Sequence, residues 1–256
     1  MLQLLYIIVF LISTSFSEEP KKMDTNVLKT VNERSKVAMD AVSRAMIKTE
    51  PETIYAEYLK NEIMLPNLEP IKSRVYGNKN AKNKLVIFAD FACGHCKATS
   101  KDLKARVNEN KQLVNLTYVL FPLDKVCNKD VDGKLSNYSC FSAKLALCAE
   151  KNGKIWKAID YLYEHQDDST KLPFDNRKFI SDMGKKLKLK DFDACAVSKW
   201  VDDALNIEAT VHKGLKIPGT PIVLLNNRRL GGVYKNKNIF TKFIKYFDLK
   251  ENPKGK

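Results

Sequence analysis

Residues 84–96 read KLVIFADFACGHC. The first seven, Lys84 to Asp90, form a short apolar run with β-branched centres, the pattern of a strand buried on both faces. Phe91 and Ala92 lead into Cys93, Gly94, His95 and Cys96, and Lys97 to Asn108 has helical periodicity. Two cysteines three apart therefore sit at a strand-to-helix junction. There the unpaired N–H groups and the dipole of the helix N-terminus favour a thiolate on Cys93. His95 is expected to add a partial positive charge or a donor. Together these should draw Cys93 below the free value of about 8.5, toward roughly 3.5–7.5. Stabilising that thiolate favours the reduced form and makes the disulfide oxidising. Cys93 is the expected attacking sulfur, and Cys96, one turn in, the buried resolving one.

Working outward, Leu113 to Phe121 reads as a second strand closed by Pro122. Strand, helix, strand implies parallel central strands joined by a crossover. The segment 127–137 is turn-rich. Helices are expected over 140–151, 156–165, 174–183 and 191–213. So long a stretch between strands is too much for a loop and predicts a helical subdomain, at about 126–213. Pro221 to Leu225 is a third strand, Asn226-Asn227 a hairpin turn, Arg228 to Leu230 the returning strand, and 239–247 a last amphipathic helix. The segment 214–222, GLKIPGTPI, places Gly219, Thr220 and Pro221 just before an apolar strand. That is where a cis proline forms a tight turn, and where the preceding residue offers backbone groups to an extended substrate strand.

The N-terminus bears on the compartment. Residues 2–12 are an almost unbroken apolar run, too short for the roughly 20 residues a bilayer needs. Ser15-Phe16-Ser17 puts small residues where a signal peptidase reads, so residues 1–17 are expected to be a signal peptide and the chain exported, most simply to a periplasm. Its n-region lacks Lys and Arg, which keeps an uncleaved anchor as the alternative. No Cys follows the apolar run, so no lipid anchor is expected. From Asn26 to Lys48, Leu28, Val31, Ser35, Ala38, Val42 and Ala45 form a heptad seam of small side chains. Thr49, Pro51 and Glu52 carry the signals of a second helix start, with Ile54, Tyr55, Tyr58, Leu59, Ile63 and Met64 on one face. Pro66 and Pro70 then impose an extended linker. Residues 18–71 are thus read as a helical extension. Either it packs on its own domain, or its part from 26 to 65 is an oligomerisation stalk, which the small-residue seam favours.

Composition sets outer limits. The chain has 256 residues, 44% hydrophobic and 29% charged, a globular balance with room for one domain plus an appendage. Its net charge of +14 comes from 44 Lys and Arg, of which only seven are Arg, alongside 20 Asn. That reads as solvated faces filled with Lys and Asn. No Arg cluster interleaved with aromatics supports nucleic-acid binding.

An exported chain with six cysteines suggests disulfides beyond the pair at 93 and 96. Cys140 and Cys148 lie on one expected helix about 12 Å apart, beyond the roughly 7 Å a bridge spans. Two pairings remain: Cys127–Cys140 with Cys148–Cys195, or Cys127–Cys148 with Cys140–Cys195. The first is favoured because Cys127 and Cys140 bracket one loop. His165 and His212 have no Cys, His or acid at metal spacing, and read as satisfied core or surface side chains. No metal or cofactor is implied. Asn115 and Asn137 begin glycosylation sequons, and Asp90 is either a cap of the Cys93 helix or a solvated loop acid.

The stretches 86–96, 148–156 (CAEKNGKIW) and 219–226 (GTPIVLLN) together resemble the DsbA-like branch of the thioredoxin superfamily, over residues 72–248. The resemblance implies an α/β thioredoxin-like fold over 72–250, with the inserted helical subdomain and the N-terminal extension as additions. It implies a protein thiol-disulfide oxidoreductase with Cys93 as nucleophile, Cys96 as resolving thiol, Pro221 as the cis proline and Thr220 as its substrate-facing neighbour. Its partners would be cysteine-containing proteins or peptides and a redox partner. Many relatives carry a buried acid six residues before the first Cys; here that position is Ile87. Gly94-His95 and Thr220 resemble isomerase-type members, as does the extension, and favour a homo-oligomeric disulfide isomerase. The alternatives are a monomeric dithiol oxidase, a Cu(I) binder using Cys93 and Cys96, and a chaperone with a vestigial site.

Overall fold

The computed structural model describes residues 50–166 and 176–253. The expected signal peptide and heptad seam lie outside these. A five-stranded sheet runs in the order β1-β3-β2-β4-β5, with β1 Val75–Tyr76, β2 Asn83–Ala89, β3 Val114–Leu120, β4 Ile222–Leu225 and β5 Arg228–Arg229. Only β2 and β3 are parallel, joined through α2, Gly94–Glu109; the other pairings are antiparallel. Alternation along β2 divides the core, as period-two geometry requires. Leu85, Ile87 and Ala89 face one cluster, with Leu103 and Val107 of α2 and Phe240, Phe243 and Phe247 of α8, Lys237–Glu251. Val86 and Phe88 face a second, with Met64, Ile71, Val211 and Ile217. Both central strands are covered on both faces, which is why they read as continuous apolar runs.

The turn Asn226-Asn227 has φ of 44° and 66°, the left-handed pair a two-residue hairpin needs. Between β3 and β4 come α3 Asn137–Lys151, α4 Ile155–Glu164, α5 Asn176–Leu187, α6 Phe192–Ala196 and α7 Lys199–His212. Disulfides Cys127–Cys140 and Cys148–Cys195, each with Cα atoms 5.9 Å apart, tie the loop after β3 to α3 and α3 to α6.

Three expectations are corrected. The single helix over 191–213 is two, because Ser198 is extended and its hydroxyl caps the Cys195 carbonyl at 2.8 Å, ending α6 and opening α7. The helix expected at 140 begins at Asn137, where the Ser136 hydroxyl accepts from the Tyr138 N–H. The second helix of the extension, α1 Pro51–Lys60, does not project as part of a stalk. Ile54 and Tyr58 are buried in the main core, Tyr58 packs its ring edge-on to Phe247, and its hydroxyl donates to the Leu225 carbonyl at 2.6 Å. The linker then runs beside β5, with the Met64 N–H donating to the Asn227 carbonyl.

β1 and Gly77 were not foreseen. Gly77 has φ +90°, and a Cβ there would stand 2.5 Å from Val107, so glycine is needed where the chain leaves the edge strand against α2. Asn115 is buried and donates to the Asn78 carbonyl, so its sequon is closed to modification in the fold.

Candidate active site

The chain leaves β2 at Ala89 and enters α2 within four residues, with Cys93 as the N-cap in extended conformation. Cys93 is half-buried and Cys96 wholly buried, and both are free thiols. From the opposite side the loop before β4 brings Thr220 up to the pair. The Thr220–Pro221 bond is cis, and Cys93 Sγ lies 3.6 Å from the Thr220 carbonyl oxygen. Residues 127 apart in sequence thus meet at one sulfur. A Cβ at Gly94 or at Gly219 would meet nothing within 4 Å, so neither glycine is demanded by crowding. Beside Gly219 a recess of about 350 Å³ is lined by charged and apolar side chains together, Asp130, Asp132 and Lys134 with Leu123, Leu135 and Ile217.

The electrostatics separate the two sulfurs. Cys93 is drawn down to about 6, first by the hydrogen bond from Cys96, then by Thr220 and by the backbone N–H groups of Cys96 and His95, against opposition from burial. Both N–H groups belong to the first turn of α2, and that of Cys96 also donates to the Cys93 carbonyl at 3.0 Å. Cys96 is pushed far up, first by burial and then by the Cys93 sulfur. Position in the fold therefore makes Cys93 the more acidic and more accessible sulfur and Cys96 the protected one. What His95 gives Cys93 is its backbone N–H; the residue itself is exposed. Because the folded value for Cys93 lies below the unfolded one of about 8.5, its thiolate favours the folded reduced protein at high pH, and that favour is lost as pH falls through about 6. Alkylation of the reduced protein by iodoacetamide is accordingly expected to have its midpoint near pH 6, falling about tenfold per unit below that. A midpoint above 8 would contradict this geometry.

Asp90 is neither the cap nor the solvated acid expected of it. It is buried, and its carboxylate accepts from the Ala92 N–H at 2.6 Å and the Leu123 N–H at 2.5 Å, clamping the cysteine loop to the loop after β3. Burial raises its pKa, and those two N–H groups oppose the rise. Ile87 is fully buried, with Tyr118 of β3 as its register partner. His212 is buried with Nδ1 2.8 Å from Asp130, and His165 stacks on Tyr161. Among the described residues no group of three or more His, Cys, Asp or Glu is placed to hold a metal.

Residues 69–245 match the family model described as Thioredoxin. The chain belongs to the thioredoxin family. Solved structures with this fold include BdbD from Bacillus subtilis, at 16% identity and TM-score 0.56, covering 73% of this chain and 97% of that one. Another is alpha-DsbA2 from Wolbachia pipientis, titled a thiol-disulfide exchange protein, at 20% identity and TM-score 0.50, covering 80% and 98%. ScsC from Proteus mirabilis matches at 18% and TM-score 0.50, covering 86% and 94%. No curated protein matches the sequence. The fold is thus the DsbA-like one, a thioredoxin sheet with helices inserted between β3 and β4.

Proposed function

We propose that this thioredoxin-family chain is a thiol-disulfide oxidoreductase acting on cysteine-containing proteins. Cys93 attacks a substrate disulfide, or in its oxidised form is attacked, and Cys96 resolves the mixed disulfide. The observation that carries the reading is the half-open Cys93 sulfur beside the Thr220 carbonyl, paired with a buried Cys96 of opposite acidity. An extended substrate would pair with the Thr220 backbone, and the recess beside Gly219 would take one of its side chains. Catalysed disulfide exchange by the native protein, lost in Cys93→Ser, tests the reading; an unchanged rate in that variant refutes it.

Within this chemistry we read the protein as an exported disulfide isomerase, periplasmic, assembled as a homo-oligomer through residues 26–48 and assisted by a separate redox partner. Support comes from the small-residue heptad seam, the apolar N-terminus and the Gly94-His95 and Thr220 pairing. Among the described residues no helix is long and apolar enough to cross a membrane. The monomeric dithiol oxidase has one specific observation in its favour: α1, which the stalk reading includes, packs on the domain instead. Refolding of a scrambled-disulfide protein decides between them. The isomerase reading expects an oligomer in sedimentation, and isomerase activity lost when residues 18–48 are removed while simple dithiol oxidation is retained. Equal activity from a monomeric full-length chain supports the oxidase.

A further inference from the structure

A carboxylate taken out of water is costly unless its oxygens are satisfied, so a buried Asp with no part in the sulfur chemistry asks for a reason. Asp90 directly follows β2 and is 1% exposed. Its Oδ1 accepts from the N–H of Ala92, the residue before the nucleophile, and its Oδ2 from that of Leu123, three residues past β3. Two donors arrive on two oxygens, and only a carboxylate accepts at both; an Asn would set its NH2 against one of them. The Asp90 carbonyl accepts from the Cys93 N–H at 3.2 Å and from the Tyr163 hydroxyl, which also meets that of Tyr118. Leu123 is in turn one wall of the recess beside Gly219, together with Leu135, whose N–H donates to the Leu123 carbonyl at 2.6 Å. The facing wall is Ile217, Pro218 and Gly219, and the next residue is Thr220, its carbonyl oxygen 3.6 Å from the Cys93 sulfur. Away from the sulfur the walls are joined where Asp130 meets the buried His212, the last residue of α7, at 2.8 Å from Nδ1. Each wall therefore reaches Cys93 by its own route, one through Thr220 and the other through Asp90.

We propose that Asp90 is a positioning residue that keeps the Leu123 wall of the recess in register with the Cys93 sulfur, so that a substrate side chain is seated as its disulfide meets the thiolate. The inference rests on the oxidoreductase reading and deepens it. Asp90 takes no part in the bond changes. The Cys93 thiolate bonds to one substrate sulfur, and the other leaves as a thiolate with the electron pair of the broken S–S bond. Register matters because a misplacement of about 1 Å costs on the order of a hundredfold in rate. A disulfide too small to reach the recess gains nothing from that register. Dependence on Asp90 should therefore follow the reach of the substrate, which general support of the fold would not do.

The test times attack by full-length protein in a Cys96→Ser background on two probes. One is bis(2-hydroxyethyl) disulfide, too short for the recess; the other is a symmetrical peptide disulfide with leucine on both sides of its cysteine. Asp90→Asn is expected to slow the peptide at least about tenfold more than the small disulfide, chiefly by raising the half-saturating concentration. With Cys96 present, the iodoacetamide midpoint of Cys93 should stay near pH 6, because Cys96, Thr220 and the first N–H groups of α2 set it. Equal slowing of both probes overturns the proposal, as does a midpoint moved well away from 6 or a peptide rate within about twofold of native. Leu123→Ala keeps the N–H and trims only a half-buried loop side chain, so it reports even where Asp90→Asn does not fold. It should show the same selective loss, and the double variant should be no slower than the slower single one, since both act on one wall. A peptide rate that Leu123→Ala leaves within about twofold, or two losses that add in full, overturns the proposal. Attack on neither probe by protein with Asp90 and Leu123 intact overturns the oxidoreductase reading, whereas attack on both with no selective loss in the variants overturns this proposal alone.

Discussion

Cys93→Ser is expected to abolish disulfide exchange, and Cys96→Ser to stop it half-way. Only a thiolate of suitable acidity attacks a disulfide sulfur at neutral pH. In this fold the sulfur that fits is Cys93, drawn down to about 6 and only half-buried. Serine keeps the shape but has no comparable nucleophile, so turnover should fall at least about a thousandfold. Cys96 fails differently. Its sulfur is buried and pushed far up, so it makes no first attack. Replacing it leaves attack by Cys93 in place and removes the internal escape. A covalent complex with substrate should accumulate, visible on a non-reducing gel and dissolved by dithiothreitol. If Cys96→Ser instead loses first attack and forms no adduct, the roles assigned to the two sulfurs are wrong. Part of the depression of Cys93 comes from the Cys96 hydrogen bond, which is its first cause. Attack by Cys96→Ser should therefore weaken modestly at pH 6, and recover as pH rises and Cys93 ionises without help.

What could be read from the sequence depended on how far apart the informative residues stand. The 84–96 stretch carries its own evidence, because a strand, a turn and a helix start are all local patterns. The hairpin at Asn226-Asn227 and the apolar strand after Pro221 are equally local. Asp90 shows the limit. Three residues before a cysteine at a helix start, it looks like a cap or a loop acid, and its burial is decided by the Leu123 N–H, 33 residues on. The Tyr118–Tyr163 pair is invisible for the same reason: each tyrosine reads as an ordinary core aromatic on its own element, and only the crossing of β3 by α4 joins them. In α1 the helix itself was legible and its packing partner was not. An apolar face with Tyr58 in it fits a stalk or a core, and the choice rests on Phe243 and Phe247, nearly two hundred residues away. The disulfides lie between these cases. Helical rise excluded one pairing and loop proximity favoured another, and the structure contains the favoured one.

Arg74→Ala has the largest expected effect on stability. Arg74 stands just before the edge strand and its side chain is 1% exposed. It forms two hydrogen bonds to Glu208 of α7, both at 2.9 Å, two to Glu150 of α3 at 2.9 and 2.5 Å, and one to the Tyr118 carbonyl at 3.0 Å. Glu208 in turn accepts from the Leu120 N–H at 2.8 Å. One guanidinium therefore joins β3 to two helices of the insert, on the strand that carries Tyr118. Without it two carboxylates face each other, and that of Glu208 is 2% exposed. Breaking such a pair is destabilising by about 3–5 kcal/mol, which lowers Tm by roughly 6–20 °C for a domain of this size. The unpaired carboxylates would then have folded pKa values raised above their unfolded ones. A group of that kind is tolerated below its unfolded pKa and destabilises above its folded one, so the deficit against the native protein should shrink as pH falls toward 4. Arg74→Met with Glu208→Gln removes the two most buried charges of the three, leaves an amide oxygen for Leu120, and should recover much of the loss. A Tm for Arg74→Ala within about 2 °C of native, or a deficit that grows in acid, would show that the buried triad does not hold the insert to the sheet.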